Sequence, residues 1–138
     1  MTVEETRAYL EQPAAINKKI NALLLAKAET KALLTRCTAQ YGAVGGSSGG
    51  YRSHIEDTIS KIIELENQID AEIDTLVGKK SEILANIMRL SDQEHQAVLI
   101  HRYINCKTVE QISEIMNYSA TAVKKKIKAS VVKLSENL

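Results

Sequence analysis

The strongest constraint on the fold is a seven-residue repeat of apolar residues between Ile55 and Leu90. Residues spaced in this way lie on one side of an α-helix, because seven residues nearly complete two turns. Nine of the eleven positions in the repeat are apolar. The first seam holds Ile55, Ile62, Ile69, Leu76, Ile83 and Leu90, and the second holds Ile59, Glu66, Ile73, Lys80 and Ile87. The repeat predicts a long helix of the coiled-coil type.

A weaker version of the repeat in residues 14–37 supplies a partner for this helix. Its seam contains Ile16, Ile20, Leu23, Leu34 and Cys37, interrupted by Lys27 and Thr30. Residues 42–50 between the two patterns are rich in Gly and Ser, which is typical of a flexible linker. We therefore predict that residues 1–90 form an antiparallel helical hairpin. A loop centred near residue 46 would place Lys27 opposite Glu66.

Capping signals and a scarcity of helix breakers favour an all-α chain. A Ser or Thr followed three residues later by Glu or Gln can satisfy the free amides of a helix start. The pattern occurs at Thr2/Glu5, Ser53/Glu56, Ser91/Glu94 and Thr108/Gln111. Pro13 fits the first turn of a further helix. With no Trp and no Phe in the chain, a compact core has to be aliphatic.

Residues 91–138 predict a three-helix unit with a helix-turn-helix. Its apolar positions are Val98, Leu99 and Tyr103, then Val109, Ile112 and Met116, then Val123, Ile127, Val131 and Leu134. A helix-turn-helix needs a small residue facing its partner helix, here Ser113. Four positions later, Asn117 tolerates a positive φ angle. Ser119 can then cap the last helix.

Charge points to a polyanion partner for this last helix. Residues 119–138 hold five lysines against Glu136, whereas residues 55–90 hold eight acids against four bases. We expect the helix to enter the major groove of double-stranded DNA with its N-terminal end. The predicted reading face consists of Ser119, Ala120, Thr121, Lys124, Lys125 and Lys128. Candidates for phosphate contacts are Lys107, Lys126 and Lys133.

The C-terminal third also resembles region 4 of bacterial sigma-70 factors. The resemblance is carried by Leu90-Ser91-Asp92-Gln93-Glu94, Arg102-Tyr103-Ile104, Thr108-Val109-Glu110-Gln111-Ile112-Ser113, Tyr118-Ser119, Val123, Ile127 and Leu134. It implies recognition of a promoter element and contact with RNA polymerase. The whole chain is similar to small sigma-like regulators of phages and mobile elements in Gram-positive bacteria. Ser113 and Ser130 stand where sigma region 4 usually has alanine, and Cys106 where glycine is common, so no DNA sequence preference is carried over.

Other chemistry finds little support in the sequence. Gly78-Lys79-Lys80-Ser81 resembles the end of a phosphate-binding loop, but Ile73 stands where the first glycine is required. The three histidines and two cysteines lack metal-ligand spacing. We expect no enzyme activity, no cofactor and no metal. We also expect no membrane span or signal peptide and a cytoplasmic protein with reduced cysteines.

These patterns favour a sequence-specific DNA-binding regulator of transcription in a phage or mobile element, acting with RNA polymerase holoenzyme. The expected partners are double-stranded DNA, RNA polymerase and a second copy of the chain, with a dimer favoured. Two alternatives remain. One is a DNA-packaging protein similar to a small terminase, which a ring of many subunits would favour. The other is a helical scaffold that binds protein and not DNA.

Overall fold

The computed structural model describes residues 1–42 and 49–138, with side chains described for residues 1–39 and 52–138. The described residues confirm an all-α fold, in which a long antiparallel hairpin is followed by three shorter packed helices. A π-helical segment (the π segment) continues the first of these three. The helices are α1 (Val3–Gly42), α2 (Gly49–Ile87), α3 (Gln93–Leu99), the π segment (Ile100–Ile104), α4 (Val109–Met116) and α5 (Ala120–Asn137).

Two of the four predicted capping boxes form as expected. Thr2 and Thr108 each accept a backbone N–H with the hydroxyl, and the acid or amide three residues later accepts theirs in return. At α3 the cap is Asp92 and not Ser91. One Asp92 carboxylate oxygen accepts the N–H groups of Glu94 and His95 at 2.8 and 3.4 Å. A carboxylate is favoured there because its charge also complements the helix dipole.

Two predicted helix starts and the predicted linker need correction. Ser53 lies inside α2, because the helix already begins at Gly49. Pro13 lies inside α1 and not at a start; its fully buried ring offsets the one backbone donor that it removes. Gly42, Gly49 and Gly50 of the predicted linker 42–50 are helical, and residues 43–48 lie outside the described residues.

The chain divides into two compact units. Unit 1 comprises residues 1–16 and 75–138, and unit 2 comprises residues 17–74. Helices α3, α4 and α5 all belong to unit 1, together with the first part of α1 and the last part of α2. The boundary at residues 90 and 91 that the sequence suggests stays a prediction.

Unit 2 is an antiparallel pair made of parts of α1 and α2. Lys27 lies 3.2 Å from Glu66, as the loop position predicts, and Lys19 lies 2.7 Å from Glu72. Residues earlier in α1 thus meet residues later in α2, which defines the antiparallel direction. The predicted α1 seam lies on the inner side of the pair, since all of its members are buried or half-buried. Ile20 is buried, and the half-buried members are Leu23, Lys27, Thr30, Leu34 and Cys37. Ile16, the last residue of unit 1, is also half-buried.

The second predicted seam of α2 is only partly correct. Ile59 and Ile73 are exposed, although both stand at seam positions. Leu65 and Glu72, on the adjacent row, are half-buried instead. Residues three and four positions away from a buried residue are both its neighbours on a helix. Glu66, at a second-seam position, is half-buried as predicted and pairs with Lys27. The first seam is confirmed, since its members are buried or half-buried throughout.

The core of unit 1 joins residues from all five helices. Leu10 of α1 and Ile83 and Ile87 of α2 are fully buried in the same cluster as the apolar residues of α3, α4 and α5. The other buried members are Leu90, Val98, Leu99, Tyr103, Ile112, Val123, Val131 and Leu134. At the edge of this core, the Tyr9 hydroxyl donates to Glu82 and accepts from Asn86, each at 2.8 Å. Unit 1 is therefore a single packed body built from two separate stretches of sequence.

Candidate DNA-binding surface

The turn between α4 and α5 has the local features that the sequence predicts for this position. Asn117 ends α4 in the left-handed conformation, with φ 57° and ψ 42°. This confirms the prediction of a positive φ, which asparagine tolerates better than most residues. The Ser113 hydroxyl donates to the carbonyl of Tyr118 and holds the turn from inside. Ser119 then caps α5 by accepting the N–H of Ala122 at 3.1 Å.

Packing decides which face of α5 is left to solvent. Val123, Val131 and Leu134 are fully buried against the rest of unit 1, and Ile127 is half-buried. These residues form the predicted apolar stripe at spacings of four, four and three. The opposite face of α5 therefore points away from the core.

The predicted reading face lies mainly on this outward side. Five of its six residues are exposed, namely Ser119, Thr121, Lys124, Lys125 and Lys128, and Ala120 is half-buried. Among the residues that the structure describes, none forms an ion pair with Lys124, Lys125 or Lys128. Three ammonium groups are thus presented on slightly more than one helical turn with no partner to neutralise them.

The three lysines predicted for phosphate contacts have different surroundings. Lys126 lies 2.8 Å from Glu94 and sits over the ring of Tyr118, 4.4 Å from its centroid. Lys133 is exposed and lies 3.8 Å from Glu136. Lys107 is half-buried, and its carbonyl accepts a hydrogen bond from Arg102. Of these three, Lys126 is the most firmly engaged inside the protein.

Glu94, Tyr118 and Lys126 form a polar cluster that ties α3 to the turn and to α5. Tyr118 donates its hydroxyl to Glu94, which also accepts from Lys126. The hydrogen bond from Lys126, and next that from Tyr118, lowers the pKa of Glu94. The Glu94 carboxylate in turn raises the pKa of Lys126 and of Tyr118. The cluster therefore keeps Glu94 charged over a wider pH range than a free glutamate.

Two arginines near α5 were not among the site residues predicted from the sequence. Arg7 of α1 and Arg102 of the π segment line a surface cleft together with Lys124 and Lys128 of α5. We call this the basic cleft; its other lining residues are Glu11, Tyr103, Val109 and Ile127. Arg7 is far from α5 in sequence, so no spacing pattern connects them. Only the packing of α1 into unit 1 brings the four cations together.

The π segment shapes one wall of this cleft. The N–H of Asn105 donates to the carbonyl of Ile100 at 2.9 Å, five residues back, in place of the usual four. Arg102, in the middle of the segment, donates to the carbonyl of Lys107 at 3.1 Å. Cys106 follows with a positive φ of 52°, at the position where the sigma pattern has glycine. Wide turns of this kind are frequent near functional sites.

Metal binding and membrane insertion find no support in the described residues. They contain no group of three or more His, Cys, Asp or Glu side chains placed to hold a metal ion. Cys37 and His54 nevertheless meet in unit 2, with 3.6 Å between sulfur and ring nitrogen, a contact that sequence spacing did not reveal. In the described part of the chain, no helix combines the length and apolar character needed to cross a membrane.

Comparison with protein families gives a match over most of the chain. Residues 41–135 fit the family described as "Protein of unknown function (DUF1492)". The chain belongs to DUF1492. The matched part includes all of α2, α3, the π segment and α4, and it ends within α5. No curated protein and no solved structure matches the chain.

Proposed function

We propose that this protein binds double-stranded DNA through α5 and regulates transcription. One observation carries the proposal: α5 follows a helix-turn-helix turn and exposes Lys124, Lys125 and Lys128 without ion-pair partners among the described residues. A helix placed in this way can enter the major groove, while its cations approach the phosphates on either side. Ser119 and Thr121 supply hydroxyl groups at the end of the helix that enters first.

The charge distribution supports a DNA partner. The chain as a whole has a net charge of only +1, yet residues 119–138 carry five lysines and one glutamate. Each phosphate that a lysine neutralises releases counterions, so concentrated positive charge raises DNA affinity at moderate salt. Because the positive charge lies on one helix, DNA is attracted to that helix and not to the protein surface in general.

The resemblance to sigma region 4 supports a regulatory role with RNA polymerase holoenzyme. Promoter opening requires captured single-stranded bases, which proteins hold mainly by aromatic stacking. The chain has no Trp and no Phe, and residues 55–90 carry excess negative charge. The protein therefore acts on duplex DNA and recruits or obstructs a holoenzyme that opens the promoter itself. We further propose that it works as a dimer.

The proposal is tested by replacing Lys124, Lys125 and Lys128 together with Ala. We expect affinity for a random-sequence duplex, measured by fluorescence anisotropy, to fall by more than about ten-fold at matched salt. The log–log salt dependence should flatten by roughly 0.9 for each phosphate that the variant no longer neutralises. Thermal stability should not change, because these side chains are exposed.

A triple variant of equal charge change provides the control. Lys18, Lys31 and Lys61 are exposed lysines of unit 2, and their replacement with Ala should leave DNA affinity unchanged. Equal affinity of the α5 variant and the native protein would disprove the proposed surface. Where affinity falls as expected, transcription by holoenzyme with no added protein, with the native protein and with the α5 variant measures the regulatory role.

A further inference from the structure

The basic cleft concentrates positive charge in a way that does not stabilise the fold. Arg7, Arg102, Lys124 and Lys128 line it, and Glu11 is the only carboxylate among its lining residues. Four cations that line one space repel one another, and the single carboxylate of Glu11 offsets only part of that charge, so an anion from outside is attracted to the cleft. Arg7, Lys124 and Lys128 are exposed, so such an anion can reach them from solvent.

The cleft continues directly into the reading face of α5. Lys124 and Lys128 belong to both, and they stand one helical turn apart on α5. Arg7 stands across the cleft on α1, and Arg102 is fixed by its hydrogen bond to the Lys107 carbonyl. An anion in contact with all four must therefore be extended and lie alongside α5.

The floor of the cleft is formed by a buried tyrosine. Tyr103 is 9% exposed and belongs to the core of unit 1. Burial raises the pKa of its hydroxyl; the charges of Arg102 and Arg7 oppose this rise, and the charge of Glu11 adds to it. Arg102 is restrained by its hydrogen bond to the Lys107 carbonyl, which reduces the conformational freedom that this side chain would lose on binding.

We propose that the basic cleft holds the sugar-phosphate backbone of duplex DNA beside the groove that α5 enters, and that Arg7 and Arg102 contact its phosphates. This inference rests on the proposed function and extends the DNA-binding surface from the C-terminal helices to α1. Arginine suits the role because its planar group can bind a phosphate through two N–H donors. The Glu11 carboxylate repels the same DNA backbone and lowers the affinity of the protein for DNA.

Two variants, one that removes a positive charge and one that removes a negative charge, test the inference in the full-length protein. Arg7→Ala should weaken binding to a random-sequence duplex by about five- to ten-fold and flatten the log–log salt slope by roughly 0.9. Glu11→Gln removes a repelling charge and should strengthen binding by about two- to five-fold. A gain of affinity cannot result from misfolding, so the second variant keeps the test decisive if the first is unstable.

Arg89→Ala is the matched control, because Arg89 is an exposed arginine of unit 1 that does not line the cleft. The affinity of the Arg89→Ala variant for the duplex and its log–log salt slope should equal those of the native protein. If Arg7→Ala and Glu11→Gln also bind like the native protein while the triple α5 variant fails to bind, the cleft inference is wrong and the proposed function stands. If the native protein binds no duplex, both fail together.

Discussion

Cys106 carries a local strain that its side chain does not relieve. Its φ of 52° lies in the left-handed region, where the β-carbon crowds the following carbonyl oxygen. The residue is exposed, and its thiol makes only a long contact of 3.9 Å to the carbonyl of Tyr103. Glycine has no β-carbon and adopts this conformation without the same cost.

Cys106→Gly should therefore stabilise the protein by about 1 kcal/mol, as measured by urea unfolding. Cys106→Val is the matched contrast, since a β-branched residue tolerates a positive φ poorly and should lower the free energy of unfolding. An equal stability of the two variants would show that the backbone at this position relaxes when the side chain changes.

At the scale of single residues, the sequence predicted local conformations better than partners. The positive φ of Asn117 and the cap at Ser119 follow from residue type and position alone. The pairing of Lys126 with Glu94 does not, because it depends on how α3 packs against α5. The sequence analysis assigned Lys125 to the reading face and Lys126 to phosphate contacts, but it did not predict that Lys126 would pair with an acid of α3.

At the scale of elements, burial differs sharply between two isoleucines of α2 in unit 2. Ile69 is 5% exposed and Ile73 is 42% exposed, although the seven-residue repeat assigns both to a seam. Ile69→Ala should lower the free energy of unfolding by about 2–5 kcal/mol, because it leaves a cavity in a packed row. Ile73→Ala should cost less than about 1 kcal/mol.

Chemical unfolding followed by circular dichroism measures both variants, each serving as the other's control. Comparable decreases in stability would show that Ile73 is covered in solution, as it would be at the interface of the proposed dimer. The measurement should therefore be repeated at several protein concentrations. A cost for Ile73→Ala that grows with concentration would identify a second copy of the chain as the cover.

The existence and type of the helices were easier to predict than their limits and their inner faces. The repeat in α2 and the capping box at Thr108 are local signals, and both were correct. The start of α2 was predicted too late, because extending a formed helix adds a hydrogen bond per residue even through glycine. In the second seam, Ile59 and Ile73 are exposed although the repeat assigned them to the inner face, because α2 has apolar residues on adjacent rows and the repeat alone does not select between them.

At the scale of the whole molecule, the core of unit 1 depends on α1. Leu10 is fully buried among residues of α3, α4 and α5, although its sequence position suggests the hairpin alone. Leu10→Ala should lower the free energy of unfolding by about 2–5 kcal/mol. Leu25→Ala, on the same helix but 61% exposed, should change it little. Equal effects in urea unfolding would mean that α1 does not pack stably in unit 1.

The long-range contacts of Leu10 also matter while the chain is being made. At translation rates of about 5–20 residues per second, α1 emerges from the ribosome roughly 5 to 25 seconds before α5. Unit 2, whose helix pairs lie within residues 17–74, can form during that interval. Leu10 shares its core cluster with Val131 and Leu134, so this cluster is complete only after α5 has been synthesised. During translation, part of the apolar core of unit 1 therefore stays open longer than the helix pair of unit 2.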